Sequence, residues 1–240
     1  MQKPSSLPGW EGEFKFNFSL ENYVRVLFVN DVTRRGFGNS IILGTVGATF
    51  GVMICALLAN MVQRTRMPGR SGIDFVAMLP VTYPGIVLGM GFLMAWIKTP
   101  IYGTIWILML AYIVHFMPTA LRSLEATLGS ISPALDESAR VAGASWLGAF
   151  RRILFPLMWP GFVSTWLLLF VIFMREVSSS MLLYVHGTET ISIALIQIME
   201  YESQGASAAF GSIQTIIILA AVYFFRKITA MQKLNVEVNE

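Results

Sequence analysis

Charged residues divide the chain into long apolar runs. Five stretches hold no Asp, Glu, Lys or Arg: 36–63, 75–97, 99–121, 153–174 and 203–225, with lengths of 28, 23, 23, 22 and 23 residues. A helix needs about 20 mostly apolar residues to cross the roughly 30 Å hydrocarbon core. Lipid offers no partner to a bare backbone, so spans are helices or a closed barrel. Barrel strands alternate polar and apolar residues over about 10 positions, and Ile105-Trp106-Ile107-Leu108-Met109-Leu110 does not alternate. The pattern predicts an all-α polytopic membrane protein with five transmembrane helices. Two further charge-free runs, 177–188 and 190–199, have 12 and 10 residues. They are too short to span and read as re-entrant, interfacial or buried core pieces. The last span is expected to begin near Ala206.

Composition supports this reading. Of 240 residues, 13% are charged and 55% hydrophobic, with a mean hydropathy of +0.64. Soluble domains carry about 25% charged residues, so an ordinary soluble enzyme is disfavoured. Disorder is excluded, because it needs low hydrophobicity and high charge. One Cys and two His are too few for a metal cage, and the net charge of +3 carries less information than its distribution.

Lys and Arg favour cytoplasmic loops. Arg64, Arg66 and Arg70 lie between the first two spans; Arg122, Arg140, Arg151 and Arg152 between the third and fourth; Arg226, Lys227 and Lys233 in the tail. The intervening connections hold only Lys98 and Arg175. Odd-numbered spans are therefore expected to run inward, with residues 1–36 extracytoplasmic, a membrane domain over 37–229 and a cytoplasmic tail over 230–240. The first segment carries Lys3, Lys15, Arg25, Arg34 and Arg35 and no apolar h-region of a signal peptide. A segment so charged is awkward to export alone, so a further span upstream of Met1 is expected, with this chain a piece of something longer.

The spans hold no Asp or Glu in their interiors, and intramembrane carboxylates usually mark ion or proton paths. Asp74 is placed at the inner edge of the second span, Glu176 at the outer edge of the fourth, and His115 near the cytoplasmic end of the third. A proton-driven pump and an intramembrane protease are both disfavoured, and no catalytic residue or resident metal site is expected. Gly47/Gly51 and Gly85/Gly89 have the spacing that lets helices approach closely. Pro80 and Pro84 each remove a backbone donor and favour a break, and broken helices at mid-membrane can line a cavity.

The 122–155 loop carries the most specific pattern. Ser132 suits an N-cap and Pro133 the first helical position. Asp136 and Glu137 fall where the helix dipole favours anions. Gly143 is placed to end the helix in a left-handed conformation, and Ser145 to cap a second helix from Trp146 towards Pro156. Leu135, Ala139 and Ala142 share one small apolar face, which suits either a plain surface helix or one that lies in a partner's groove.

Glu137-Ser138-Ala139, then Gly143 after three residues, then Ile153-Leu154-Phe155-Pro156 after nine, resembles the cytoplasmic motif of permeases of binding-protein-dependent ABC transporters, E-A-A, three residues, G, nine residues, I-x-L-P. Ser138 and Phe155 are the departures. Leu79-Pro80 with Tyr83-Pro84-Gly85, and Phe116-Met117-Pro118 with Arg122, are similar to further signatures of that family. The segments 175–184 and 187–192, together with 18–23, resemble the ferric-iron uptake permeases, whose relatives carry thiamine, phosphonate or polyamine. The resemblance runs from about Phe16 to Arg226 and suits the C-terminal half of a two-half permease without its first helix.

The resemblance implies a type I ABC importer transmembrane domain in a bacterial inner membrane, with its C-terminus cytoplasmic. The loop would be a coupling helix in which Glu137, Ser138, Ala139 and Gly143 contact an ATPase dimer, while Ile153 and Pro156 set re-entry into the fourth span. ATP and Mg would sit on that partner, since the chain has no phosphate-binding GxxxxGK[ST] loop. Further partners implied are an extracytoplasmic solute-binding protein, a second permease half (fused or a second copy) and membrane lipid, with no nucleic acid. Tyr83, Pro84, Arg175, Glu176, Ser178 and Ser179 are the candidate pathway residues. Fe(III) prefers oxygen donors, which makes Glu176 attractive. Alternatives are another solute on the same fold, or a membrane scaffold without transport.

Overall fold

The computed structural model describes residues 20–65 and 67–237; the expectations for Lys3, Lys15, Arg66 and the rest of the N-terminal segment through residue 19 lie outside the described residues. Those described form helices and turns, with no strand. A short helix α1 (Glu21–Val24) runs through a widened turn, Arg25–Val29, to Asn30, whose side chain accepts from the Thr33 N–H at 3.2 Å and starts α2 (Asp31–Ile42). A second widened turn, Leu43–Gly47, joins α2 to α3 (Ala48–Arg64), and the three form one 34-residue span.

The second span is bent. Helix α4 (Arg70–Met78) tightens into a 3-10 turn, Leu79–Thr82, stops at Tyr83, and resumes as α5 (Gly85–Trp96) after a bend of 110°. Pro80 is the second residue of the tightened turn and Pro84 precedes α5, so the missing donors fall at the break. The third span is α6 (Ile105–Gly129). It ends at a turn leading to α7 (Pro133–Val141), and α8 (Trp146–Ala149) follows. A widened turn, Phe150–Leu154, leads into α9 (Phe155–Met174), making the fourth span Phe150–Met174. Pro156 has no N–H and its ring crowds the Arg152 carbonyl, and widening the turn there relieves that conflict. Two short helices follow, α10 (Ser178–Leu183) and α11 (Ile191–Tyr201). The last is α12 (Gln204–Glu237), whose apolar part is Gln204–Tyr223. Among the described residues four helices are long and apolar enough to cross a membrane, or five with the bent pair as one span, the number the apolar pattern predicts.

The core lies where α3 packs on α6 and α9. Gly44, Gly47 and Gly51 seat Phe170, Phe173 and Leu169 of α9, with a Cβ at each expected 2.9–3.2 Å from those side chains. Small residues thus admit large ones from the neighbour, the packing used where lipid supplies no hydrophobic drive. Tyr112, Phe173 and Phe210 are fully buried. Large apolar side chains are also exposed, Phe50, Met53 and Leu57 on α3 and Ile216, Leu219 and Tyr223 on α12, as a lipid-facing exterior requires. Helix α5 packs chiefly on α10, and α11 on α2.

Candidate functional site

Two places bring the sequence-selected residues together. The first is the α7–α8 turn. Gly143 has φ +85°. The Ala144 N–H donates to the Ala139 carbonyl at 3.0 Å, and the Ala142 N–H to the Ser138 carbonyl at 3.0 Å. A six-to-one bond closing over a left-handed glycine ends the helix and satisfies a carbonyl that has no helical partner. The four-residue spacing of Ala139 and Gly143 is therefore that of the bond acceptor and the glycine. Ser145 then accepts from the Gly148 N–H at 3.2 Å, opening α8. Ala139 is buried by its own chain, while Leu135, Ser138 and Ala142 are exposed and Val141 is 89% exposed. The expected face of Leu135, Ala139 and Ala142 is corrected accordingly: Ala139 is spent on the turn, and Leu135 and Val141 are the large apolar groups left outward. The side chain of Glu137 lies outside the described part of the structure. Ile153 is half-buried within the widened turn and Pro156 is exposed. Beside them opens a cleft of about 690 Å³ lined by Gly143, Ala144, Ser145, Gly148, Arg151 and Arg152.

The second place is the break in the bent span. Tyr83 and Pro84 are exposed there, and an apolar groove of about 410 Å³ runs along its concave side past Val76, Leu79, Tyr83, Val87 and Trp96. Gly85 sits against α6 and α10, where a Cβ would come 2.5 Å from His115 Cε1 and 2.9 Å from Ser178 Cβ. His115 Nδ1 lies 3.9 Å from Glu176 Oε1, with side-chain exposures of 17% and 9%. Glu176 Oε1 accepts from the Ser179 N–H at 2.9 Å, at the start of α10. Ser180 donates to the Glu176 carbonyl at 3.2 Å and shares a short hydrogen bond with the Tyr112 hydroxyl. Ser179 donates to the Gly85 carbonyl at 3.5 Å.

One sequence placement changes here. His115 is not near the end of its helix, because α6 continues to Gly129; it lies ten residues from Ile105, about 15 Å along the axis. Glu176 follows the end of the fourth span at Met174, as expected, and is buried against that histidine. Arg175 is exposed at the end of α9, and no ion pair joins it to Glu176 among the described residues. Ser178 is exposed, and Ser179 is fully buried. Of the six pathway candidates, the break gathers Tyr83, Pro84, Glu176, Ser178 and Ser179 and leaves Arg175 aside. His115 and Tyr112 complete the group. The sequence reading singled out His115 as a ring inside a span without placing it among the pathway residues, and it passed over Tyr112.

Polar networks brace both ends of the bundle. Arg35 donates from Nε and Nη2 to the Glu189 carboxylate at 3.0 and 3.2 Å, and Asn39 donates to the Gly187 and Glu189 carbonyls at 3.0 and 2.8 Å. Burial pushes the Glu189 carboxyl up, but Arg35 and the N–H groups of Glu189 and Gly187 together outweigh it and hold it below the usual range. At the other end Arg122 bridges Glu125 at 2.5 Å and Asp74 at 3.3 Å, Gln63 donates to the Glu125 carbonyl, and Arg64 to the Leu128 and Ile131 carbonyls.

Comparison with known proteins gives one family. Residues 37–230 match the family described as "Binding-protein-dependent transport system inner membrane component". The chain is 27% identical over 215 residues to the ferric transport system permease protein FbpB of Actinobacillus pleuropneumoniae, covering 88% of this chain and 31% of that protein. It is 26% identical over 220 residues to the spermidine/putrescine transport system permease protein PotC of Haemophilus influenzae, covering 92% and 83%. The chain thus spans about a third of the ferric permease's length and most of the polyamine permease's. Among solved structures it is similar to a chain of a bacterial ABC transporter involved in alginate import, with a TM-score of 0.74, 21% identity, and coverage of 91% and 86%. A chain of the methionine transporter MetNI in an inward-facing conformation superposes with a TM-score of 0.67 at 16% identity, covering 82% and 94%.

Proposed function

The chain belongs to the binding-protein-dependent transport system inner membrane components, and from that premise we propose that it is the permease subunit of an ATP-driven importer, forming with a second permease half the pathway for a solute delivered by a binding protein. The observation that carries this reading is the α7–α8 turn. A helix ended by a glycine-closed hydrogen bond holds Leu135 and Val141 outward beside a cleft edged by Arg151 and Arg152. This is a rigid lever with an apolar tip, and the helix after it runs unbroken from Trp146 to Met174. Movement of the tip is therefore transmitted directly into the fourth span. ATP and Mg belong to the partner ATPase dimer, and this chain supplies lever and pathway.

The cargo best supported is ferric iron, through the similarity to the ferric permease and the carboxylate at the break. Polyamine is the second reading, since the chain covers 83% of the spermidine/putrescine permease. The cytoplasmic end is then the one bearing α7, with the C-terminus on the same side. The test is reconstitution in vesicles with ATPase and binding protein. ATP-dependent uptake of Fe(III) is expected, together with crosslinking of Val141→Cys to the ATPase. Uptake of spermidine alone would move the assignment to polyamine. Absence of both uptake and crosslinking would remove the importer reading and leave a membrane scaffold.

A further inference from the structure

At Tyr83 and Pro84 the bent span leaves the helical path: the Tyr83 N–H closes the tightened turn on the Pro80 carbonyl, the Pro84 carbonyl opens α5 by accepting from Leu88, and both residues are exposed. Non-helical backbone at membrane depth is tolerated only where protein covers it or water reaches it. The break therefore faces the interior of the assembled transporter, not lipid. Directly beneath it lie Glu176 and His115.

Glu176 is a buried carboxylate, and among the described residues neither Lys nor Arg pairs with it. Its one close partner is the Ser179 N–H. A carboxylate held in a low-dielectric interior with no full counter-charge is costly, and such groups within membrane bundles mark ion or substrate paths. His115 Nδ1 is buried and has no hydrogen-bond partner among the described residues. Its ring is held by stacking on Phe116 at 4.3 Å and by the close approach of Gly85. With the proton on Nε2, Nδ1 presents a lone pair towards the carboxylate.

We propose that Glu176 Oε1 and His115 Nδ1 form a transit site for the cationic group of the solute, placed at the break of the bent span. The 3.9 Å between the two atoms is too long for a hydrogen bond. It is short enough for one cation to touch both: a metal ion at about 2.1 Å from each donor, or an ammonium at about 2.8 Å from each. Tyr112 and Ser180 touch neither donor atom; they hold the Glu176 backbone and so fix the carboxylate's position. Gly85 is required because any side chain there would occupy the histidine's place. The inference rests on the importer reading above and adds a site and a solute charge to it.

Two substitutions at one position separate a charge role from a capping role. Glu176→Gln keeps an oxygen for the Ser179 N–H and removes the charge, while Glu176→Asp keeps the charge and shortens the reach to the cap. The transporter assembled with its ATPase and binding protein is reconstituted in vesicles, and uptake of Fe(III) and of spermidine is measured separately. Because it removes a charge-assisted interaction with the solute, Glu176→Gln is expected to lower uptake of the imported cation by roughly tenfold or more, with Glu176→Asp closer to wild type. His115→Phe, which keeps the ring stack, is expected to fall with Glu176→Gln. Loss confined to Fe(III) identifies a metal as the transiting cation, and loss confined to spermidine an ammonium. The opposite order, with Gln like wild type and Asp impaired, would show that Glu176 only caps α10 and overturn the proposal. A wild-type transporter that imports neither probe would overturn this inference, and only with the Val141→Cys crosslink also absent would the importer reading fall.

Discussion

Gly143 is the position where conformation and contact can be told apart. Its φ of +85° lies in the left-handed region, and a Cβ built there meets no atom within 4 Å. An L side chain in that conformation costs roughly 1–2 kcal/mol, and no steric term adds to it within the chain. Gly143→Ala should therefore shift the balance between closed and open α7–α8 turn by about 5- to 30-fold. Gly143→Leu should cost the turn no more than alanine does. Gly143→Asn should recover part of the loss, because asparagine tolerates this region best after glycine. The turn itself is read by amide hydrogen exchange of Ala142 and Ala144, whose N–H groups donate at 3.0 Å to Ser138 and Ala139. Coupling is read by ATP-dependent uptake in vesicles. Alanine and leucine should accelerate exchange equally and asparagine less. A series graded by side-chain volume, or an alanine variant that exchanges like wild type, would refute the conformational argument.

Gly85→Ala drives a methyl to within 2.5 Å of His115 and should lower thermal stability in detergent by about 1–3 kcal/mol, the range for overpacking, with His115→Ala in the same chain restoring part of it. The Arg35–Glu189 clamp responds to acid. Because the folded Glu189 carboxyl is held below its usual range, its stabilisation is fully present above the unfolded value of about 4.3. It is lost as pH falls through the lower folded value. Thermal melts should accordingly show a wild-type advantage over Glu189→Gln at pH 7 that vanishes in strong acid; an advantage that persists there would contradict the assignment. Cys55 is 1% exposed, so a maleimide should leave the folded protein unlabelled and react after denaturation, and labelling of the native protein would place α3 differently.

The fragments of site legible in the sequence were those set by local rules. The α7–α8 turn is an example. Pro133, Gly143 and Ser145 each act within four residues of their own position, so their spacing discloses the geometry. The break at Pro80 and Pro84 was likewise announced by missing donors, although its 110° angle depends on how α5 docks on α10. The buried state of Ala139 was hidden because α7 folds back on α8 and the widened turn Phe150–Leu154, and a face drawn from helical periodicity does not contain that packing. The polar group at the break was hidden for a different reason. Counting charge-free runs ended the third span at Arg122, yet α6 continues to Gly129, with Arg122 paired to Glu125 and Asp74. A charged residue ends an apolar run without ending the helix, so His115 lies in the middle of α6 and not at its end.

By itself the sequence determined that this chain lives in a membrane as a five-span helical bundle, because the length of an apolar run against the thickness of hydrocarbon is a local quantity. It also determined a glycine-closed turn between the third and fourth spans. Only the tertiary structure decided what the bundle holds inside. Glu176 meets His115 across 61 positions and Arg35 meets Glu189 across 154. Pairings at such separations follow from how the helices dock, and a buried carboxylate and an exposed one are spelled with the same letter.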